Sequence, residues 1–169
     1  SLADVAFTAP LVLDENASRI VQMIVESAGK GEGAFRLVSR LTAESTTDWQ
    51  THCSGRISPA GNLHAPSVDL DVIAKRCPAT MGRAAFYALI ESAGYRTGPN
   101  FQCIREIHKG DNEALCRIEG MGWIDDTAIH PGLIDSVLQT VLPACEKSAG
   151  AMLTGGSVLI PLHIGSVRL

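Results

Sequence analysis

The sequence predicts an α+β fold in which antiparallel strands dominate and helices are added in the second half. Apolar and polar residues alternate along much of residues 1–58, as strands with one buried face require. Residues that favour turns separate these runs, so consecutive strands are expected to pair in antiparallel order. Beyond residue 83, the apolar residues of some stretches recur at helical spacing, which predicts helices there.

The composition indicates a folded chain and excludes several classes of function. The chain has 169 residues, of which 46% are hydrophobic and 19% charged, so it can form one domain or pieces of two small ones. Its 14 Lys and Arg residues are outnumbered by 18 Asp and Glu residues, and they form no cluster. Nucleic acids and anionic membranes are bound by clustered cations, so neither is an expected partner.

The cysteine pattern and the lack of a long apolar run predict a cytoplasmic protein. Five cysteines are an odd number, and the closest pair in sequence, Cys103 and Cys116, is 13 positions apart. This spacing favours reduced thiols over disulfides or a metal site. Residues 149–165 are too few and too polar to cross a membrane. Because the chain begins at Ser1 without a targeting leader, we expect a segment of a longer polypeptide.

The first 58 residues are predicted to form strands joined by turns. A glycine-rich run at 29–33 contains a lysine, but a phosphate-binding loop needs Ser or Thr directly after that lysine, and Gly31 stands there. A hairpin turn is therefore the favoured interpretation. The segments with strand character are 11–13, 20–26, 34–42 and 49–57.

Residues 59–83 are interpreted as a linker, because loop-forming residues cluster at its start. In the second part, 84–169, a first helix is expected to end at Gly94, which suits a left-handed position after a helix. A hairpin follows over 101–107 and 113–118, and one or two strands are expected within 157–169.

A helix over about 131–142 is predicted to be buried on nearly all sides, since its apolar residues cover most of its circumference. Asp135 and Gln139 are four residues apart, so they lie on one face of this helix. The amide of Gln139 can orient the carboxyl group of Asp135, and an apolar pocket favours the neutral acid. This pair is a candidate proton donor; a polar stripe facing solvent is the alternative.

The motifs around this helix resemble those of dehydratase domains from modular polyketide synthases. Residues 130–135 (HPGLID) followed by Gln139 are similar to the family's central-helix motif, HP-x-x-x-D leading into D-x-x-x-Q/H. Residues 94–101 (GYRTGPNF) resemble its GYxYGPxF motif, and 160–162 (IPL) resemble its LPF motif. Three earlier segments are similar to strands of the family's first half: 4–7, 10–11 and 49–55.

The resemblance implies a double hotdog fold, in which two antiparallel sheets each wrap around a central helix. It implies that 1–58 are later strands of the first half, that 84–169 form the second half, and that the fold is incomplete at both ends. It implies loss of water from a β-hydroxyacyl thioester, carried on the phosphopantetheine of an acyl carrier protein, with no cofactor of the domain's own. Neighbouring synthase domains are implied partners, and a homodimer stays open. The residues implied for catalysis are Asp135 and Gln139, and those for substrate binding are Tyr95, Gly98, Pro99, Pro161 and Leu162.

The chain departs from the family pattern in its base and in part of its pocket. The family's basic histidine lies in an HxxxGxxxxP motif, and no histidine of this chain is followed four residues later by glycine. The base is therefore expected outside this chain. Thr97, Leu162 and Ile164 stand where the motifs have Tyr, Phe and Trp. Two alternatives follow: a domain that shifts double bonds or closes rings, and a non-catalytic module.

Two histidines on the chain are weaker candidates for catalysis. His52 could act as a base, but a histidine beside Trp49 near a strand end is more often a packed or capping residue. His130 precedes Pro131 at the expected start of the buried helix, where capping is favoured over catalysis.

Overall fold

The structure, a computed structural model, describes residues 1–43, 48–59, 67–120, 123–125, 128–145 and 160–168. The chain divides into two units, one formed by Ser1–Pro66 with Ile160–Leu169 and the other by Ser67–Leu159. Within the described residues, no helix has the length and apolar content needed to cross a membrane.

Among the described residues, the helices all lie in the second unit. In chain order, the strands are β1 (Leu2–Phe7), β2 (Arg19–Gly29), β3 (Glu32–Leu41), β4 (Gln50–Ile57), β5 (Ala79–Gly82), β6 (Ile104–Lys109), β7 (Ala114–Ile118), β8 (Trp123–Asp125), β9 (Ala128–Ile129) and β10 (His163–Val167). The helices are α1 (Leu70–Arg76), α2 (Arg83–Ser92), α3 (Pro131–Gln139) and α4 (Val141–Ala144), with a 3₁₀ turn at Pro99–Phe101.

The first unit is built on one antiparallel sheet with the strand order β10-β1-β4-β3-β2. The hairpin between β2 and β3 turns at Gly29 and Gly31, whose φ angles of 90° and 79° suit glycine. The prediction of a hairpin turn here is confirmed. Three of the predicted strands are also present, as β2, β3 and β4.

Two expectations for the first unit are wrong. Residues 11–13 follow Pro10 and form no strand, and Val12 and Leu13 are exposed. The apolar residues of β2 were expected on a buried face, yet Val21, Met23 and Val25 are exposed. These side chains are exposed because β2 is the edge strand of the sheet and no described residue packs over this face.

The second unit has a small antiparallel sheet, β5-β6-β7, and a separate pair, β8-β9. Its helix α2 is followed by Ala93 and by Gly94 with a φ angle of 97°, which confirms the predicted helix end. The hairpin of β6 and β7 agrees with the predicted one. The core cluster of this unit consists of Phe86, Tyr87, Ile90, Ile104, Ile107 and Leu142.

The helix predicted over 131–142 is present as α3 and the short α4, with Thr140 between them. The expectation that it is buried on nearly all sides is wrong. Ile134, Val137 and Val141 are 43%, 52% and 55% exposed, so one apolar face of the helix is open. The buried face carries small and polar residues instead, which allow another backbone segment to approach closely. These residues are Gly132, Ser136 and Gln139.

The predicted division of the chain differs from the grouping in the structure at two places. The segment 59–83, interpreted as a linker, contains α1 and β5. Asp69 caps α1 by accepting from the backbone N–H groups of Asp71 and Val72, and β5 pairs with β6. Ile160–Leu169 was assigned to the second part, yet β10 pairs with β1. The part of the predicted final strands at 157–159, and the loop at 60–66, lie outside the described residues.

Candidate active site

The acid and the amide predicted on the central helix are hydrogen-bonded to each other. Asp135 and Gln139 lie one turn apart on α3, and Nε2 of Gln139 donates to Oδ2 of Asp135 over 2.6 Å. Gln139 is buried and Asp135 is half-buried. Among the described residues, Gln139 is the one hydrogen-bond partner of this carboxyl group. The second carboxyl oxygen, Oδ1, is therefore available to a bound molecule.

The side-chain amide of Gln139 is held at both of its ends. Besides Asp135, its Nε2 donates to the carbonyl oxygen of Phe101 over 3.0 Å, and its Oε1 accepts from the Tyr87 hydroxyl over 3.2 Å. The Tyr87 oxygen accepts in turn from the backbone N–H of Ile104 over 3.1 Å. Burial raises the pKa of Tyr87, so its phenol stays protonated at neutral pH and can donate.

The 3₁₀ turn of the second motif packs directly against the buried face of α3. Ser136 is fully buried, and its hydroxyl accepts from the backbone N–H of Cys103 over 3.2 Å and donates to the carbonyl of Phe101 over 3.4 Å. Gly132 lies so close to Asn100 that a Cβ atom would collide with the carbonyl oxygen of that residue. Two motifs that are far apart in sequence thus meet in one unit.

The other predicted residues of the second motif have different surroundings. Tyr95 is half-buried and packs against the core cluster of the second unit. Gly98 and Pro99 are exposed at the start of the 3₁₀ turn, and a Cβ atom built on Gly98 would meet nothing within 4 Å. The open space beside Gly98 leaves room for a ligand near the turn.

Pro161 and Leu162 belong to the first unit, whereas Asp135 belongs to the second. Both residues are exposed and line an open, mostly apolar cavity of about 330 Å³ in the first unit. Other residues that line it are Phe7, Pro10, Leu37, His52 and Ile160.

His52 is buried in the first unit with both ring nitrogens hydrogen-bonded. Nδ1 lies 3.2 Å from the carbonyl oxygen of Ala9, which only accepts, so Nδ1 carries the proton. Nε2 lies 2.7 Å from the Ser39 hydroxyl, which donates to it and accepts from Arg19 over 3.0 Å. Because Nε2 already accepts a hydrogen bond, it is not free to take a proton from a substrate. The geometry favours a structural role for His52.

His130 is the N-cap residue of α3. Its Nδ1 accepts from the backbone N–H of Gly132 over 3.0 Å, and the ring packs edge-on near Phe101 with centroids 6.5 Å apart. The expectation that capping is favoured over catalysis at this position agrees with this geometry.

The cysteines form no disulfide, and two of their thiols have a raised pKa. All five cysteines are free, and burial raises the pKa of Cys116 to about 11 and that of Cys53 above its usual value. Such thiols are poor nucleophiles at neutral pH because the thiolate is the reactive form. Within the described residues, no group of three His, Cys, Asp or Glu side chains is arranged to hold a metal ion.

The comparison with known families gives a match for the larger part of the chain. Residues 65–169 match the model described as the polyketide synthase dehydratase N-terminal domain. The chain therefore belongs to the polyketide synthase dehydratase family. The predictions of the family and of the double hotdog fold are confirmed.

The chain is similar to a small part of much longer polyketide synthases. It is 29% identical to polyketide synthase GfsE of Streptomyces halstedii over 89% of its length, and 27% identical to polyketide synthase PksN of Bacillus subtilis over 98%. It spans only 4% and 3% of those two proteins.

Among solved structures, the chain is similar to two dehydratase domains of the curacin polyketide synthase. The domain of the CurK module is 25% identical with a TM-score of 0.70, and that of the CurF module is 27% identical with a TM-score of 0.70. Both comparisons cover 85% of this chain, and 50% and 52% of the solved domains. The chain thus spans about half the length of a solved dehydratase domain.

Proposed function

We propose that this chain contributes the acid half of a dehydratase site, with Asp135 as the general acid and Gln139 as the residue that holds it. The substrate is a β-hydroxyacyl thioester on the phosphopantetheine of an acyl carrier protein, and the product is the enoyl thioester. The observation that carries the proposal is the 2.6 Å bond from Gln139 to Oδ2 of Asp135, with Oδ1 left open.

The bond from Gln139 distinguishes the two carboxyl oxygens of Asp135. Oδ2 accepts from the amide, so Oδ1 is the oxygen assigned to proton transfer. In the elimination, a base removes the α-proton, the bond between the β-carbon and its hydroxyl breaks, and Asp135 transfers its proton to the leaving oxygen to form water. Gln139 continues to donate to the carboxylate that remains.

The base in this proposal is a histidine supplied from outside the chain. Two variants of the CurK dehydratase, one Asp to Asn and one His to Phe, are described as inactive mutants. In CurK the substituted His precedes the substituted Asp by more positions than separate Ser1 from Asp135. This spacing supports a base upstream of the chain, since His52 has both ring nitrogens occupied.

The substrate-binding residues in this proposal are those of the two remaining motifs. Gly98 and Pro99 have open space beside the 3₁₀ turn that contacts α3. Pro161 and Leu162 line an apolar cavity that suits an acyl chain. Tyr95 is proposed as a further substrate contact, supported only by its place in the motif.

The proposal is tested in a polypeptide that joins this chain to an upstream segment with the His-x-x-x-Gly-x-x-x-x-Pro motif. A β-hydroxyacyl carrier protein is supplied, and mass spectrometry follows the loss of one water from the acyl chain. We expect Asp135→Asn to lower the rate on the order of 10²–10⁴-fold, because the neutral amide cannot act as the acid. Asp71→Asn, on the exposed first turn of α1, is the matched control. Full activity of Asp135→Asn would refute the acid assignment.

The two alternative functions are separated by adding an enoyl substrate to the assay. Double-bond migration or ring closure leaves the mass of an enoyl intermediate unchanged, so it is detected as a product of equal mass with a different chromatographic retention time. A non-catalytic module, which the departures at Thr97, Leu162 and Ile164 favour, shows no turnover although the polypeptide is folded.

A further inference from the structure

We propose that Tyr87 is a positioning residue of the site, and that its hydroxyl fixes the side-chain amide of Gln139 in the orientation that holds Asp135. The inference rests on the proposed function for its consequence in catalysis. Its structural part concerns three side chains of one unit, joined by bonds of 3.2 Å and 2.6 Å.

Three hydrogen bonds form a row from Ile104 through Tyr87 and Gln139 to Asp135. The direction of each bond follows from the donor at the start of this row. The backbone N–H of Ile104 can only donate, so the Tyr87 oxygen accepts from it and directs its own proton towards Gln139. The group of Gln139 that faces Tyr87 is then the acceptor, Oε1. The amide nitrogen consequently faces Asp135 and the carbonyl oxygen of Phe101.

All the bonds of this row point the same way, from β6 towards the carboxyl group. Aligned hydrogen bonds polarise one another, so the Tyr87 hydroxyl strengthens the donation from Gln139 to Asp135. Tyr87 is 7% exposed and Gln139 is 8% exposed, so little water can replace a lost bond. The loss of either partner therefore costs more stability than it would at the surface. Gln139 without Tyr87 has an unpaired buried oxygen and one restraint fewer on its rotation.

Tyr87 also connects two elements that carry the site. It stands on α2, its oxygen binds the first residue of β6, and Gln139 stands at the end of α3. Its ring packs against Phe86 with centroids 5.1 Å apart at an interplanar angle of 69°. Tyr87→Phe therefore keeps the packing and removes only the hydroxyl group.

The first test uses the chain as it is and needs no turnover. Two-dimensional NMR of the Gln139 side-chain amide reports on the short bond to Asp135, which displaces one amide proton downfield. We expect Tyr87→Phe to move this proton upfield, because Oε1 loses its donor. Tyr95→Phe removes a different hydroxyl from the same cluster and serves as the control. An unchanged Gln139 amide resonance in Tyr87→Phe would overturn the inference.

The second test measures kinetics in the polypeptide that also carries the upstream histidine segment. We expect Tyr87→Phe to lower kcat roughly 10–100-fold with little change in KM, as misplacement of a catalytic group does. Ser92→Ala, an exposed position next to α2's end, is the control. In a Gln139→Leu background, the further change Tyr87→Phe is expected to have no effect on kcat, because the hydroxyl acts through the amide.

The two tests fail in distinguishable ways. Additive losses in the double variant would show that Tyr87 acts independently of Gln139, and would overturn the positioning role. If Asp135→Asn retains full turnover, the proposed function fails, while the NMR result still decides whether Tyr87 orients Gln139.

Discussion

The two units hold buried polar side chains in opposite ways. In the first unit, His52 is 3% exposed and both of its ring nitrogens are hydrogen-bonded, to Ser39 and to the backbone of Ala9. In the second, the carboxyl group of Asp135 is half-buried; one of its oxygens is bonded to Gln139, and the other has no partner among the described residues. The first arrangement is complete without a ligand, whereas the second has a free position for one.

The difference lies in the hydrogen-bond partners of the two candidates and not in their residue types. A histidine is the commoner base in enzymes, yet both ring nitrogens of His52 are already engaged by groups of the first unit, so neither faces a substrate. Asp135 has one carboxyl oxygen bonded to Gln139, and its second oxygen has no hydrogen-bond partner among the described residues. The sequence alone could not distinguish these two situations.

The largest loss of stability is expected in the second unit, where α3 packs most closely against the 3₁₀ turn. Gly132→Ala places a methyl group against the carbonyl oxygen of Asn100, so α3 and the 3₁₀ turn must separate. We expect a loss of about 3 kcal/mol in the free energy of unfolding, measured with urea, since overpacking outweighs the better helix propensity of alanine. Gly98→Ala, with open space around it, is the control and is expected to be close to neutral. A stable Gly132→Ala would contradict the close approach.

A smaller loss of stability is expected when a hydrogen bond to His52 is removed in the first unit. Ser39→Ala removes the hydroxyl between Arg19 and His52 and leaves a buried ring nitrogen unpaired. We expect a loss of about 1–2 kcal/mol in the free energy of unfolding, measured in the same way. Ser166→Ala on the exposed face of β10 is the control. If Ser39→Ala abolished dehydration while the fold stayed stable, His52 would belong to the catalytic site and the comparison would fail.

The smallest effect is the pH dependence of stability that arises from the buried phenol of Tyr87 in the second unit. Burial raises the pKa of Tyr87, so the folded chain binds this proton more tightly than the unfolded chain. The associated stability is present below the usual tyrosine value of about 10 and is lost as pH rises through the folded pKa. In Tyr95→Phe, Tyr87 is the only tyrosine of the sequence, so the phenolate absorbance reports on it alone and is expected to develop above that usual value. A normal titration would show that the hydroxyl is exposed to solvent.

Much of the site could be predicted from the sequence because its signals are local. The spacing of Asp135 and Gln139 places them on one helical face, and Pro131 marks the first turn of the helix. The left-handed glycine at Gly94 and the turn at Gly29 and Gly31 are set by backbone sterics that single residues reveal.

What the sequence missed depends on contacts between distant residues. Tyr87 is 52 positions from Gln139, and Ser136 is 33 positions from Cys103, so no local pattern relates them. A tyrosine next to the apolar stripe of α2 was the one available signal. The exposed side of α3 was predicted as buried because its apolar residues outnumber the small ones that contact the 3₁₀ turn.

The position of β2 at the sheet edge has a practical consequence for work with the isolated chain. A long outer strand that displays Val21, Met23 and Val25, and whose outer backbone N–H and C=O groups pair with no described strand, is a template for intermolecular β-pairing. Preparations of the chain alone are therefore expected to self-associate as concentration rises, and a charged replacement such as Met23→Lys is a direct remedy.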